Sequence, residues 1–529
     1  MATKYIFVTG GVLSGLGKGI TAASIGAILK ARGLSVNIQK CDPYFNVDAG
    51  TLNPAEHGEV FVTKDGAETD LDLGHYERFL DIELNCKSST MSGRIFRQVI
   101  EDERRGEYLG KTVQIIPHIT DAMQKEMMRA GKGFDVHIVE IGGTVGDYES
   151  TAFIEAIRQM KAKIGAANVL YVHVVFLPYL ESSKELKSKP AQNAVRDLRE
   201  DGIQPDILVA RCDHKVPANV IKKLSLFTDV AENSVIPMTT AKTVYQVPRF
   251  IEDLGLGKVI TDKLGLKDVK ANLDHWDKLV ESILDTKAKT VKIGLIAKYL
   301  DHQDTYMSIT EALKAACWSV NRQLDIIWFD AEKLNDENVS EQLKNVDGIL
   351  IPGGFGSRGT EGKISAAKYA LVNDLPYLGI CLGLQVAVIA AARLNGKKKA
   401  NSIEFDPDTP DPIIDLMESQ KALASLGGTM RLGNYECRLA KDSIASKLYG
   451  KTDILERHRH RYEFNPEYAD DLTKQNIEIV GKNPQTGLAE VIESKKCKFL
   501  VASQYHPEFN SRPLKPHPLF VGFIKATIN

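Results

Sequence analysis

The chain has 529 residues but only seven cysteines, and no two chemistry-bearing residues fall in a CxxC or CxxH spacing. That scatter excludes a zinc-ribbon site and a disulfide framework, and it fits a reducing, cytoplasmic compartment. Long apolar runs are also missing. None reaches the roughly 18 residues that a membrane helix needs, and residues 1–10 enter a strand pattern without the apolar core of a signal peptide. No membrane association is expected. Neither sign of charge dominates, with 67 Lys and Arg against 69 Asp and Glu. A net charge of −2 removes the electrostatic footprint of a nucleic-acid binder. There is no internal repeat and no long low-complexity tract.

What remains is a globular composition too long for one ordinary core, so two or more domains are expected. Residues 5–9, 35–39, 136–140, 169–175 and 206–210 are short β-branched runs separated by amphipathic stretches, and residues 19–32 read as a helix. Strands alternating with helices predict a parallel sheet with crossover connections. The pattern predicts a first domain over 1–266 and a charged, helix-forming linker over 267–290. A second domain over 291–529 has strands at 291–297, 325–328, 348–352, 377–380 and 499–503. The fold class is α/β, with two doubly wound parallel-sheet domains, the first of P-loop, Rossmann-like type.

Two segments carry chemistry. The first runs from Gly10 to Gly19, between the first strand and the first helix. Glycines there leave backbone N–H groups free to cradle phosphate oxygens, the helix N-terminus adds its positive end, and Lys18 adds a mobile cation. The match to a Walker A loop is imperfect: Val12 stands at the first Gly position, and Gly19 replaces the Ser or Thr that usually meets magnesium. Magnesium then needs other ligands, for which Asp70, Asp72 and Glu140 are candidates. Glu140 ends an apolar strand, where ligands of open α/β sheets bind. Lysines at 187, 189, 222 and 223 suit a polyphosphate or a solvated surface.

The second segment is Gly379 to Gly383 around Cys381, with His506, Pro507 and Glu508 far downstream. Glycines beside the Cys permit a tight strand-to-helix turn that pushes the thiol out of the fold. His506 can be its base and Glu508 can orient that His, an extended segment placing both on one side. The N–H of Leu382 and one from Gly353 to Gly356 are the expected oxyanion donors. The cation-dense run Arg457 to Tyr462 reads either as a basic surface strip or as the source of an Arg that clamps a substrate carboxylate. Glu404 offers an acceptor for an α-ammonium.

Residues 379–385 and 506–508 resemble a class I glutamine amidotransferase domain. Residues 10–19, 40–44, 57–62, 65–74 and 140–147 resemble the amidoligase domain of the CTP synthase family, in the family's order. The resemblance implies amination of UTP to CTP with ATP, Mg2+ and L-glutamine, GTP as activator and CTP as inhibitor. It implies a homotetramer with nucleotide sites at subunit interfaces. Ser14, Gly15, Leu16, Gly17, Lys18, Gly19 and Asp72 would hold ATP, with Thr239, Thr240 and Ala241 at the adenine. Asp72 and Glu140 would bind Mg2+. Ser14, Asp147, Tyr148, Glu149, Lys187, Ser188, Lys189, Pro190, Ala191, Gln192 and Lys223 would contact UTP or CTP. Gly354, Leu382, Gly383, Leu384, Gln385, Glu404 and Arg461 would hold glutamine. Cys41, Tyr148, Ala191 and residues 239–241 depart from the commonest residues of that pattern. Two other readings share these motifs: a carboxylate-activating, ATP-dependent amidotransferase, and a P-loop switch or filament protein carrying an inactive glutaminase.

Overall fold

The computed structural model describes residues 2–528 except 14, 51, 53, 299, 301, 302 and 417–429. The chain forms two compact units, one of residues 1–51 with 72–281 and the other of residues 52–71 with 282–529. The second unit thus takes in a short segment from the first half of the chain. No described helix is long and apolar enough to cross a membrane.

The first unit is built on seven strands: β1 (Lys4–Gly10), β2 (Val36–Asp42), β3 (Ser89–Met91), β4 (Val136–Ile141), β5 (Val169–Phe176), β6 (Ile207–Cys212) and β7 (Val235–Thr239). Their order is β7-β6-β5-β1-β4-β2-β3, and every pairing is parallel. Ile6, Phe7 and Val8 are fully buried, as a strand covered on both faces requires. β1 lies between β4 and β5, so the loop after it and the end of β4 face one crevice at the carboxyl edge of the sheet. β3 and β7 have short or mixed runs that the periodicity did not separate from loop. Of the segment read as a linker, Asp274–Leu284 is a helix. Its Trp276 is buried against Phe79 and Tyr245 of the first unit.

The main sheet of the second unit has nine strands: β8 (Thr290–Ala297), β9 (Gln323–Asp330), β10 (Gly348–Ile351), β11 (Tyr377–Ile380), β12 (Arg431–Leu439), β13 (Asp453–His460), β14 (Ile477–Lys482), β15 (Ala489–Ser494) and β16 (Leu500–Ser503). They run in the order β9-β8-β10-β11-β16-β15-β14-β12-β13. The first five are parallel and the last four extend the sheet antiparallel. The antiparallel extension was not legible, because β12 and β13 are rich in charge. Alternate residues feed two cores, Ile349, Ile351 and Leu500 on one face, Leu350 and Val501 on the other.

Candidate functional site

The loop after β1 folds as a phosphate cradle. Val12, Gly15 and Gly17 all have positive φ, at 83°, 71° and 91°. Val12 thus keeps the backbone conformation of the glycine it replaces, at a strain of about 1–3 kcal/mol for a β-branched residue. The helix α1 (Lys18–Ala31) begins directly after Gly17. A Cβ on Gly10 would lie 2.7 Å from Lys18 Cδ, so glycine lets the lysine chain cross the strand end. Lys18 Nζ donates to the Gly143 carbonyl at 2.7 Å. Burial pushes its pKa below the usual lysine value, against the pull of Glu140.

Three carboxylates gather around Lys40. Its Nζ donates to Asp72 and, at 3.0 Å, to Glu140, and lies 3.9 Å from Asp42. The Tyr76 hydroxyl donates to the other Glu140 oxygen. Burial, with Asp72 and Glu140 beside it, raises the Asp42 carboxyl to about 6, although Lys40 opposes the rise. A Cβ on Gly19 would lie 2.7 Å from Asp72 Oδ1 and 3.4 Å from Glu140 Oε2. Both carboxylates therefore border the space that a Ser or Thr would fill. Two buried cations against three carboxylates leave an excess negative charge, and hard oxygen donors beside a phosphate cradle are what magnesium takes. Asp72 and Glu140 fit the ion. Lys40, Asp42 and Tyr76 were missed as site members; only their convergence from separate elements marks them. Among the described residues no group of three or more His, Cys, Asp or Glu is arranged to hold a metal ion by itself.

Beyond Gly17, a cavity of about 230 Å3 is lined by Ile20, Arg211, Met238, Thr240 and Ala241 among others. It has the apolar character of a base pocket. Thr240 N donates to the Cys212 carbonyl at 3.0 Å and its hydroxyl to Asp213 at 2.6 Å. The residues of the UTP and CTP set lie on three elements. Asp147 accepts from Thr144 N at 3.0 Å, Tyr148 is 97% exposed, and Glu149 is exposed. Lys189, Pro190, Ala191 and Gln192 open the helix Lys189–Glu200. Ala191 is buried, Lys187 pairs with Glu185, and Ser188 accepts from Gln192 at 3.0 Å. Lys223 is exposed on the helix Ala218–Thr228. Ser14 lies outside the described residues.

The thiol site is built where β11 meets the helix Leu382–Leu394. Cys381 has φ 51° and ψ −100°, a strained turn of the kind that aims a nucleophile. The flanking glycines make the turn possible. A Cβ on Gly379 would lie 2.8 Å from the Gly383 backbone, and one on Gly383 only 2.2 Å from the Ile351 carbonyl oxygen. The thiol is not pushed out into solvent: Cys381 is 2% exposed. The Arg459 carbonyl at 3.9 Å and the Gln504 amide at 3.7 Å close around Sγ.

His506 and Glu508 are brought together by the short 3-10 helix Pro507–Asn510 rather than by an extended segment. His506 Nδ1 lies 2.8 Å from Glu508 Oε1. Burial disfavours charge on the ring, yet Glu508 and then Cys381 raise its pKa to about 10. Gly353 packs against both partners, since its Cβ would lie 2.8 Å from His506 Cε1 and 3.5 Å from Cys381 Cβ.

Around the thiol, Glu404 accepts from Gly356 N at 2.7 Å, and Lys298 donates to the Phe355 and Gly356 carbonyls at 2.9 and 2.7 Å. Burial lowers Lys298 to about 8. The wholly buried Lys363 donates to the Pro352 carbonyl at 3.2 Å. Gly354 sits beside Leu382 and these two lysines. Gln385 donates to the Tyr462 carbonyl at 3.1 Å. The run from Arg457 is no surface strip: Arg457, His458 and His460 are buried in β13. Arg431 pairs with Glu463 and Glu490 beneath them. Lys298, Lys363 and Gln504 carried no sequence signal, although Gln504 stands two residues before His506 and Lys363 lies on the helix after the loop of residues 353–356.

The family model described as "CTP synthase N-terminus" matches residues 4–266, and "Glutamine amidotransferase class-I" matches residues 301–526. A curated CTP synthase of Shouchella clausii is 52% identical over 531 aligned residues, covering 100% of this chain and 99% of the relative. One from Methanocaldococcus jannaschii is 52% identical, covering 99% and 98%. A solved glutaminase domain of Trypanosoma brucei CTPS with bound acivicin is 37% identical and has a TM-score of 0.43. It covers 45% of this chain and 94% of that domain. With both halves matched in order and relatives aligned end to end, the chain belongs to the CTP synthase family, glutamine-hydrolysing carbon–nitrogen ligases.

Proposed function

We propose that the chain aminates UTP to CTP by two coupled reactions, with these residues in these roles. In the second unit the Cys381 thiolate attacks the side-chain carbonyl carbon of L-glutamine. The imidazolium of His506 protonates the departing nitrogen, releasing ammonia and leaving a thioester. Water then attacks the thioester, His506 takes its proton, and glutamate leaves. Glu508 keeps the ring charged and oriented. Leu382 and Gly354 supply N–H groups to the oxyanion, while Glu404 and Arg461 hold the substrate's ammonium and carboxylate. Gly383, Leu384 and Gln385 complete the wall.

In the first unit the loop from Ser14 to Gly19 holds the ATP phosphates, and residues 239–241 border the adenine. The uracil O4 takes the γ-phosphoryl group. Ammonia then adds at C4 and inorganic phosphate leaves. Catalysis of this kind rests on positioning and charge, which Lys18 and Lys40 provide. Asp72 and Glu140 would hold magnesium, whose charge would offset that of the phosphates. Asp147, Tyr148, Glu149, residues 187–192 and Lys223 serve UTP and the inhibitor CTP. Near-complete exposure of Tyr148 supports a nucleotide site finished by another subunit of a homotetramer. GTP activation of the glutaminase belongs to the same reading, as does a cytoplasmic location, where a catalytic thiol stays reduced.

The observation that carries the assignment is the Asp72–Lys40–Glu140 cluster at the end of the phosphate cradle, in a chain that also holds the triad. The test is CTP formation from UTP, ATP and magnesium with either ammonia or glutamine. Cys381→Ala should abolish the glutamine route and keep the ammonia route. No CTP from ammonia in the native chain would reject the UTP assignment, and loss of both routes in the variant would reject the role of the thiol.

A further inference from the structure

We propose that the hairpin of Phe61–Val62 and Glu68–Thr69, far from the triad in sequence, holds His506 in its working orientation, with Phe61 as the positioning residue. The proposal rests on the glutaminase reading of Cys381, His506 and Glu508.

The contacts form two short chains from the hairpin to the reacting groups. In the first, the buried Phe61 ring meets Phe509 edge-on, with centroids 5.1 Å apart at 67°. Phe509 in turn stacks on the His506 imidazole at 5.2 Å and 16°. The guanidinium of Arg457, wholly buried, lies 5.5 Å over the Phe61 ring, and its Nη1 donates to the Val62 carbonyl at 3.1 Å. The carbonyl of the same Arg457 accepts the His506 N–H at 2.7 Å. Both the face of the imidazole and its backbone are therefore held by groups that rest on Phe61 and Val62.

In the second, Arg459 pairs with Glu68 of the hairpin at 2.8 Å. Its guanidinium lies 5.1 Å over Phe355 of the expected oxyanion loop, and its carbonyl is 3.9 Å from Cys381 Sγ. The hairpin sits in a fitted seat. A Cβ on Gly66 would lie 2.7 Å from the Leu432 carbonyl oxygen, and one on Gly433 would lie 2.5 Å from Gly66 N. Asn434 N donates to the Lys64 carbonyl at 2.8 Å, and Ser308 N donates to Glu59 at 2.9 Å.

The ring must satisfy Glu508 with one nitrogen and serve the thiol with the other, so a small tilt breaks one of the two demands. Removing Phe61 would open space beside Phe509 and free the tilt. Groups that orient a metal-bound histidine change activity about 10- to 100-fold when replaced, and the same scale is taken for the ring of His506. Misplacement by about 1 Å has effects of order 10²-fold.

The test uses the full chain and reads glutamine hydrolysis and ammonia-dependent CTP formation in parallel. Phe61→Ala should lower kcat for glutamine hydrolysis roughly 10- to 100-fold. KM for glutamine should stay within about three-fold, and ammonia-dependent synthesis within about two-fold, of the native chain. Glu68→Gln, which keeps shape and removes the charge facing Arg459, should lower the same kcat less, roughly three- to ten-fold, by the weaker of the two routes. The proposal is overturned if both variants keep native kcat, if the loss falls on KM alone, or if the ammonia route falls in parallel. A native chain that hydrolyses glutamine beside an inert Cys381→Ser variant keeps the glutaminase reading intact whatever Phe61 does.

Discussion

Replacing Glu508 by Gln isolates the charge that holds the catalytic imidazole protonated. The amide keeps the shape and retains an oxygen to accept from Nδ1, so geometry changes little. In the native chain His506 stays protonated up to about 10. Against an ordinary value near 6.5, that corresponds to about 5 kcal/mol of preference for the charged ring. Burial opposes this preference, and Glu508 leads the groups that create it, ahead of Cys381. If Glu508 supplies about half, its loss removes about 2 kcal/mol, or roughly thirty-fold in the proton-binding constant of the ring. The sign follows from the raised pKa: the charged ring is fully present below the ordinary value and is lost as pH rises through the raised one. Without Glu508 that loss moves to lower pH. The assay is kcat/KM for glutamine hydrolysis between pH 6 and 10.5. Glu508→Gln should move the alkaline limb down by about 1.5 pH units, with the plateau near native and ammonia-dependent synthesis unchanged. An unmoved alkaline limb would refute the electrostatic account of the triad.

Lys18→Ala should abolish both the glutamine and the ammonia routes, since Lys18 serves the phosphates that both require; robust ammonia-dependent synthesis would contradict that role. Gly383→Ala would force a Cβ to within 2.2 Å of the Ile351 carbonyl. It should destabilise the second unit by about 1–3 kcal/mol and distort the Cys381 turn, read as a lower unfolding midpoint with weaker glutamine hydrolysis. His137 and His173 are buried, and burial pushes both down to about 3. A lowered folded pKa means stability present above the ordinary value and lost as pH falls towards the folded one. Unfolding should therefore become easier from about pH 6.5 downwards, with close to two extra protons taken up per chain at pH 5. A Tm equal at pH 7 and pH 5 would count against it.

How much was legible follows the range of the forces involved. The cradle after β1 and the turn at Cys381 could be read because their glycines are local demands. Gly17 answers to a positive φ, Gly10 to the Lys18 side chain and Gly379 to the Gly383 backbone four residues on. The parallel strands were legible as apolar runs because both of their faces are covered. β12 and β13 were not, because Arg431, Arg457, His458 and His460 look like surface residues until partners from other elements bury them. Likewise His506 and Glu508 could be paired from their spacing, but the 3-10 turn that joins them could not.

The sequence by itself determined the chemistry on offer: a phosphate cradle ending at Lys18, acidic residues at 72 and 140, a glycine-flanked thiol, and a His–Glu pair. Tertiary structure alone decided the company these groups keep. It put Lys40, Asp42 and Tyr76 around the two acids, Lys298 and Lys363 behind the loop of residues 353–356, and Phe61 behind Phe509 and the His506 ring. Those contacts join residues tens to hundreds of positions apart. Charge state and ring orientation depend on burial and through-space neighbours, and no local pattern records them.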